Sequence, residues 1–219
     1  LFTADVQNSP NSARVHFNYG TLLMNTEGLD TLSAEAQLNR AVSSYNRALE
    51  IDKKDVGSLK NLGVVLFRLK KYEQSILATK KAIELSPTDS LLFINLGDTY
   101  FSNNQFPEAI SSYETIIHLK NNTAATYKRL AVSYFNLKKY PEAIRWFKVG
   151  IKRFPEDIEM LTNLGNAYGA SGQVELANQT FLKAYELDGS NMNCLRMLIM
   201  TYQELNNQER VNYYSQFLK

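Results

Sequence analysis

Apolar residues recur along this chain in two alternating stripes of helical spacing, separated by short polar turns. Within residues 56–89, Leu59, Leu62, Gly63 and Leu66 follow the i, i+3, i+4, i+7 spacing that places side chains on one face of an α-helix. A second apolar stripe follows the polar turn at residues 70–72. The pattern predicts two antiparallel helices in this segment.

The same pattern returns every 34 residues. Leu62-Gly63, Leu96-Gly97 and Leu164-Gly165 are separated by 34 and 68 residues, and Leu130-Ala131 stands midway between the last two. We number positions within each unit so that this Gly or Ala is position 8. The units are 13–55, which carries nine extra residues, then 56–89, 90–123, 124–157, 158–191 and 192–219. A period of this length predicts stacked helix pairs rather than one globule with a single pocket.

Small residues and prolines mark fixed places in each unit. Positions 8 and 20 are mostly Gly, Ala or Ser, which predicts a close approach of the two helices at points where Leu would overpack. Pro107 and Pro141 stand where a second helix is expected to begin, and Pro87 and Pro155 stand where it is expected to end.

Taken together, these positions resemble the tetratricopeptide repeat (TPR) family over nearly the whole chain. The resemblance implies an all-α, right-handed superhelical solenoid of antiparallel helix pairs. We expect residues 1–219 to form a single solenoid, in which residues 1–12 are the tail of a preceding helix. The extra residues of the first unit are expected within 25–37, either as a plain surface loop with a turn at 27–30 or as a flap over one end of the groove. Thr31 and Ser33 are candidate caps for the helix that follows.

Asparagine returns at position 6, which in TPR arrays points into the concave groove. The residues at this position are Asn18, Asn61, Asn95, Arg129, Asn163 and Met197. Asparagine is a mediocre helix former, so helix propensity does not explain its return. Its amide has one acceptor and two donors for the backbone of an extended peptide, as in the similar asparagine ladder of O-GlcNAc transferase. The alternative is a scaffold role, in which these amides bond to neighbouring helices or to water.

Two further sets of groove positions are candidates for ligand binding. Phe67, Phe101 and Phe135 at position 12 form either an apolar platform for a ligand or ordinary packing between helices. Lys60 and Lys128 at position 5 give the central groove a basic character or belong to a solvated face. The carboxylate clamp of chaperone-binding TPR domains is only partly matched, because Val64 stands where that clamp requires asparagine.

Composition and motifs give no indication of catalysis. The chain has 24 Lys and Arg against 22 Asp and Glu, so a nucleic-acid partner is not predicted. Cys194 is the single cysteine, which excludes an internal disulfide and a cysteine-based zinc site and favours a buried, unreactive thiol. His16 and His118 have no neighbouring ligand pattern, and no phosphate loop or nucleophile elbow is present. We therefore predict no enzyme activity, metal or cofactor.

The sequence favours a non-catalytic protein-interaction module that binds an extended peptide segment in its concave groove. A different possibility comes from residues 1–3 and 8–20, which resemble the start of the TPR region in multi-pass O-mannosyltransferase-like membrane proteins. That resemblance implies a soluble accessory domain of a membrane-embedded glycosyltransferase-like protein. A third possibility is a self-assembling scaffold, that is, a homo-oligomer. The first residue is Leu1 rather than Met, so we expect the natural chain to extend upstream; the compartment is undetermined.

Overall fold

Helices in antiparallel pairs account for the whole described architecture. The computed structural model describes residues 7–25 and 31–218. The helices in these ranges are α1 (Ala13–Met24), α2 (Thr31–Ile51), α3 (Val56–Arg68), α4 (Tyr72–Leu85), α5 (Ser90–Ser102), α6 (Phe106–His118), α7 (Ala124–Asn136), α8 (Tyr140–Arg153), α9 (Ile158–Ala170), α10 (Val174–Leu187), α11 (Met192–Glu204) and α12 (Gln208–Ser215). Consecutive helices pack against each other within residues 13–118 and within residues 124–215, which confirms the predicted all-α fold class.

A capping side chain precedes the first helix of every pair. Its oxygen accepts a hydrogen bond from a backbone N–H in the first turn, which satisfies a donor that has no partner within the helix. The caps are Ser12, Asp55, Asp89, Thr123, Asp157 and Asn191. The caps therefore fix where each pair begins.

A left-handed residue at position 15 ends the first helix of each pair from residue 56 onward. The φ angles are 57° at Lys70, 58° at Asn104, 58° at Lys138, 77° at Gly172 and 55° at Asn206. The next residue's N–H donates to the carbonyl at position 11, at 2.9–3.0 Å, as in a Schellman motif. This turn directs the chain back into the second helix, and Pro107 and Pro141 lie in the first turn of α6 and α8 as predicted.

The glycines at position 8 lie against the side chain at position 24 of the same pair, which is an aromatic ring for Gly20, Gly97 and Gly165. A Cβ on Gly97 would lie 2.7 Å from Cε1 of Tyr113, and one on Gly165 would lie 2.6 Å from Cε1 of Phe181. Real Cβ atoms essentially never approach that closely. The predicted close approach of the two helices at small residues is therefore confirmed.

The insertion in the first unit is largely helical. α2 has 21 residues, whereas α4 and α8 each have 14. α2 begins at Thr31, so Ser33 lies inside the helix, and its assignment as a cap is wrong. The expected turn at 27–30 and most of the expected helix tail before residue 12 lie outside the described residues, although Gln7 and Asn8 are helical.

Contacts divide the chain into two units, residues 1–119 and 120–219. In the N-terminal unit, α3 contacts both α1 and α5; in the C-terminal unit, α9 contacts α7. First helices thus lie side by side within each unit. A single solenoid over both units, and its handedness, stay predictions.

Two glycines of α9 provide a matched test of the helix contact. In Gly165→Ala, overpacking against Phe181 costs about 1–3 kcal/mol, more than the gain in helix propensity of at most about 1 kcal/mol. In Gly169→Ala, the new Cβ meets no atom closer than the Ala177 Cβ at 4.0 Å, so only the gain remains. Urea unfolding should show lower stability for Gly165→Ala and higher stability for Gly169→Ala. Two changes of the same sign would contradict the contact.

Candidate functional site

The inner face is our name for the surface of the first helices that carries positions 6, 9 and 12. In the N-terminal unit it contains a hydrogen-bonded cluster. Asn61 Nδ2 donates to the Tyr45 hydroxyl at 3.2 Å and to Thr21 Oγ1 at 3.4 Å. Burial raises the pKa of Tyr45, so the hydroxyl stays protonated. The scaffold interpretation therefore applies to Asn61, because its donors are used by the protein itself.

Tyr113 reaches the inner face in the same way as Tyr45. Each tyrosine ring passes over the glycine at position 8, and its hydroxyl meets a polar side chain at position 9. Tyr113 Oη donates to Asp98 Oδ1 at 2.8 Å, and Tyr45 Oη lies 3.1 Å from Thr21 Oγ1. This feature was missed by sequence analysis, although a tyrosine at 24 coincides with a polar residue at 9 in both units that have it.

The other position-6 residues of the N-terminal unit and Arg129 differ in their surroundings. Asn18 is exposed and Asn95 is half-buried, and neither side chain has a hydrogen-bond partner recorded among the described residues. Arg129 is half-buried and does have an interaction partner. The predicted row of amides is therefore not uniform: Asn61 is hydrogen-bonded within the protein, Asn95 is half-buried and Asn18 is exposed.

The C-terminal unit has a pocket in its inner face, between α7 and α9. Its volume is about 190 Å³. Three apolar side chains and three asparagines line it: Val132, Phe135, Phe147, Asn136, Asn163 and Asn166. Because position 24 is Phe147 here, no hydroxyl crosses to the inner face as it does at Tyr45. The pocket thus combines apolar side chains with amide groups in its lining.

The amides of this pocket are mostly uncommitted. Asn136 Nδ2 donates to the Val132 carbonyl at 2.9 Å. Asn163 and Asn166 are half-buried, and within residues 7–25 and 31–218 their side chains have no recorded hydrogen-bond partner. Half-buried amides gain from a partner of their own when a ligand removes water from them.

The three phenylalanines at position 12 pack inside their own repeats. Each ring lies beside the aromatic residue that begins the second helix of its pair. The centroid distances are 5.9 Å for Phe67–Tyr72, 5.6 Å for Phe101–Phe106 and 5.5 Å for Phe135–Tyr140. Each ring thus takes part in packing within its own repeat, all three are half-buried, and Phe135 also lines the pocket.

The two groove lysines are paired with acidic residues at the N-terminus of the following first helix, namely its cap Asp89 or its first-turn residue Glu159. Lys60 Nζ lies 3.7 Å from Asp89 Oδ2, and Lys128 Nζ contacts Glu159 Oε2. Asp89 also caps α5, so its carboxylate serves two purposes. These pairs offset the positive charge that Lys60 and Lys128 were predicted to bring to the groove.

The remaining reactive side chains have structural roles. His16 is buried, and its Nε2 lies 2.9 Å from the Pro10 carbonyl, which accepts a hydrogen bond from the ring N–H. Cys194 is buried and its thiol donates to the Phe181 carbonyl at 3.2 Å. Across residues 7–25 and 31–218, no cluster of three His, Cys, Asp or Glu side chains could hold a metal ion. No helix in the described part of the chain is long and apolar enough to cross a membrane.

Comparison with protein families fits this architecture. Models of the tetratricopeptide repeat match residues 58–89 and 158–191, 78–111 and 123–153, which together make up more than half of the chain. The chain belongs to the tetratricopeptide repeat family. No curated protein matches the sequence.

Several solved structures share the fold. YrrB, described as a TPR protein with an unusual peptide-binding site, is 21% identical with a TM-score of 0.73 over 90% of this chain and 96% of its own. MamA is 22% identical with a TM-score of 0.71, over 83% and 94%. PilF from Pseudomonas aeruginosa is 14% identical with a TM-score of 0.67, over 97% and 92%. At these identities the likeness shows the fold alone, and the resemblance to O-mannosyltransferase-like proteins stays a prediction.

Cys194 provides a test of the buried thiol. Burial raises the pKa of Cys194 to about 11, so at pH 8 the folded chain holds very little of the reactive thiolate. We expect the native protein to react with Ellman's reagent only as it unfolds, while the chain in urea releases one equivalent at once. Rapid labelling of native protein at pH 8 would contradict this environment.

Proposed function

We propose that this TPR module binds an extended segment of another protein along its inner face, and that the pocket between α7 and α9 receives one apolar side chain of that segment. The family and the structural neighbours support a protein-interaction module in general. The pocket supports the more specific mode of binding. The proposal also includes the absence of catalytic activity.

The pocket with uncommitted amides is the observation that carries the proposal. A volume of about 190 Å³ suits a single large side chain. Val132, Phe135 and Phe147 would remove that side chain from water, which is worth about 1.5–3 kcal/mol for a Leu or Phe that becomes fully buried. Asn163 and Asn166 would meanwhile donate to and accept from the main chain beside it, at about 0.5–1.5 kcal/mol per hydrogen bond.

Rigid helices reduce the cost of binding on this side of the complex. The pocket side chains project from α7, α8 and α9, so few groups need to be ordered when a ligand docks. YrrB, a protein of the same fold, has a peptide-binding site, and this supports peptide recognition here.

The proposal changes how much each of the other predicted residues is expected to contribute to peptide binding. Asn18 and Asn95 remain candidate contacts for the peptide backbone, whereas Asn61 is expected to contribute little because Tyr45 and Thr21 engage its amide. Lys60 and Lys128 are expected to act mainly through their ion pairs. Phe67 and Phe101 are expected to support the helix pairs rather than the ligand.

Selection from a phage library of random peptides of about 12 residues tests peptide binding directly. We expect the chain to enrich peptides that share one large apolar residue. The best peptide, made synthetically and labelled with fluorescein, should bind Asn163→Ala/Asn166→Ala about tenfold or more weakly, which corresponds to about 1.4 kcal/mol. Fluorescence anisotropy gives the affinities, and thermal unfolding shows that the variant is folded.

Gln208→Ala is the matched control, because it removes an exposed amide from α12, away from the pocket. It should leave the affinity unchanged. The proposal fails if no selected peptide binds in solution, or if the double variant binds the peptide as tightly as the parent and the control.

A further inference from the structure

A second kind of groove recurs outside the inner face, where the second helix of one repeat meets both helices of the next. Such grooves lie at α2/α3/α4, at α4/α5/α6 and at α8/α9/α10, with volumes of about 330, 230 and 440 Å³. Residues at positions 4, 7 and 11 of the central helix form the floor in all three. Because the grooves are equivalent in the repeat, differences between their rims are informative.

The groove at α8/α9/α10, which we call the lysine groove, has a basic rim around an apolar floor. Lys148 and Lys152 lie one turn apart on α8, and Lys183 lies on α10; all three are exposed. Among the described residues no ion pair involves them, and no acidic side chain lines the groove. Their charges are therefore not compensated within the groove.

Lys152 is not required by the repeat architecture. Position 29 is occupied by Lys152 here but by Glu50, Glu84 and Glu186 in other repeats. In the groove at α4/α5/α6, Glu108 lines the same surface as Lys80. The pKa of Lys80 is raised there, mainly by its interaction with Tyr100 and less by the charges of Glu108 and Glu73.

The charge is concentrated in one repeat and lies beside exposed apolar surface. Residues 124–157 contain eight Lys and Arg against three Asp and Glu, a formal charge of +5 in a chain of +2. Between the lysines, Leu164 and Tyr168 form a floor that is itself largely buried, and the exposed apolar surface beside it is Leu176, which is 40% exposed. An apolar strip between cations is suited to a partner with an apolar face and flanking carboxylates.

We propose that the lysine groove binds an acidic amphipathic helix from another protein. Its apolar face would cover Leu164, Tyr168 and Leu176, and its carboxylates would pair with Lys148 and Lys152 on one rim and Lys183 on the other. The lining residues extend over about two turns of α9 and α10, roughly 10 Å, which is enough for one helix to lie along the groove. This surface is separate from the pocket between α7 and α9, so the module would have two sites.

A designed peptide of about 16 residues is a suitable probe, with Leu along one helical face, Glu on both sides of it and a fluorescein label. We expect Lys148→Glu/Lys152→Glu to weaken its binding about tenfold or more, because attraction becomes repulsion. Lys138→Glu/Lys139→Glu is the matched control: it makes the same change of charge in the same repeat, on exposed residues outside the groove. That variant should change the affinity less than about twofold.

Two further comparisons make the test specific. Replacing every Glu of the peptide with Gln, or every Leu with Ser, should abolish binding, because the charges and the apolar contact are both required. Asn163→Ala/Asn166→Ala should bind the acidic peptide normally, so failure of the inner-face proposal and failure of this one are distinguishable.

Several results would overturn the proposal. One is equal binding of the peptide by the parent, Lys148→Glu/Lys152→Glu and the control variant. Another is the absence of peptide binding while phosphatidylserine vesicles or a short DNA duplex bind in a way that Lys148→Glu/Lys152→Glu abolishes, since the groove would then serve a membrane or a nucleic acid. Circular dichroism of each variant shows that the helices are intact.

Discussion

In three of the described helix pairs, a glycine at position 8 lies against an aromatic ring at position 24, and this contact sets how closely the two helices pack. At Gly97 and Gly165 the ring lies where a Cβ would otherwise stand, so the two helices approach more closely than larger residues would allow. Close packing of this kind is sensitive to a single added methyl group. It also controls the inner face, because a side chain that passes over the glycine ends at the surface of the first helix. The packing of the core and the chemistry of the inner face therefore depend on the same position.

Variation at position 24 distinguishes a closed inner face from an open one. Tyr45 and Tyr113 place a hydroxyl there, and the protein uses it in its own hydrogen bonds, to Thr21 and Asp98 respectively. Phe147 has no hydroxyl, position 8 of its pair is Ala131 rather than glycine, and the pocket lined by Asn163 lies beside it. The inner face above position 24 therefore differs from repeat to repeat. In the lysine groove, likewise, the floor is common to several repeats and the charged rim is particular to one.

The 34-residue period made most of the fold predictable, because helix starts, turns and small residues all depend on neighbours close in sequence. The contacts of individual groove residues could not be predicted in the same way. The bond from Asn61 to Tyr45 joins different repeats, and the pairing of Lys128 with Glu159 depends on how two first helices lie side by side. The assignment of Ser33 as a cap was wrong because α2 already begins at Thr31, two residues earlier, so Ser33 lies within its first turn. Periodicity thus locates the surfaces, whereas the hydrogen bonds and ion pairs of their side chains can be assigned only from coordinates.

The most direct measurement is an NMR titration that follows the side-chain amides of the ¹⁵N-labelled protein as the best selected peptide is added. The account predicts that the Asn163 and Asn166 amide signals shift in a saturable way, while those of Asn61, held by Tyr45 and Thr21, stay in place. Saturable binding that leaves Asn163 and Asn166 unmoved, or that shifts Asn61 most, would contradict the claim that the open pocket is where this module recognises its partner.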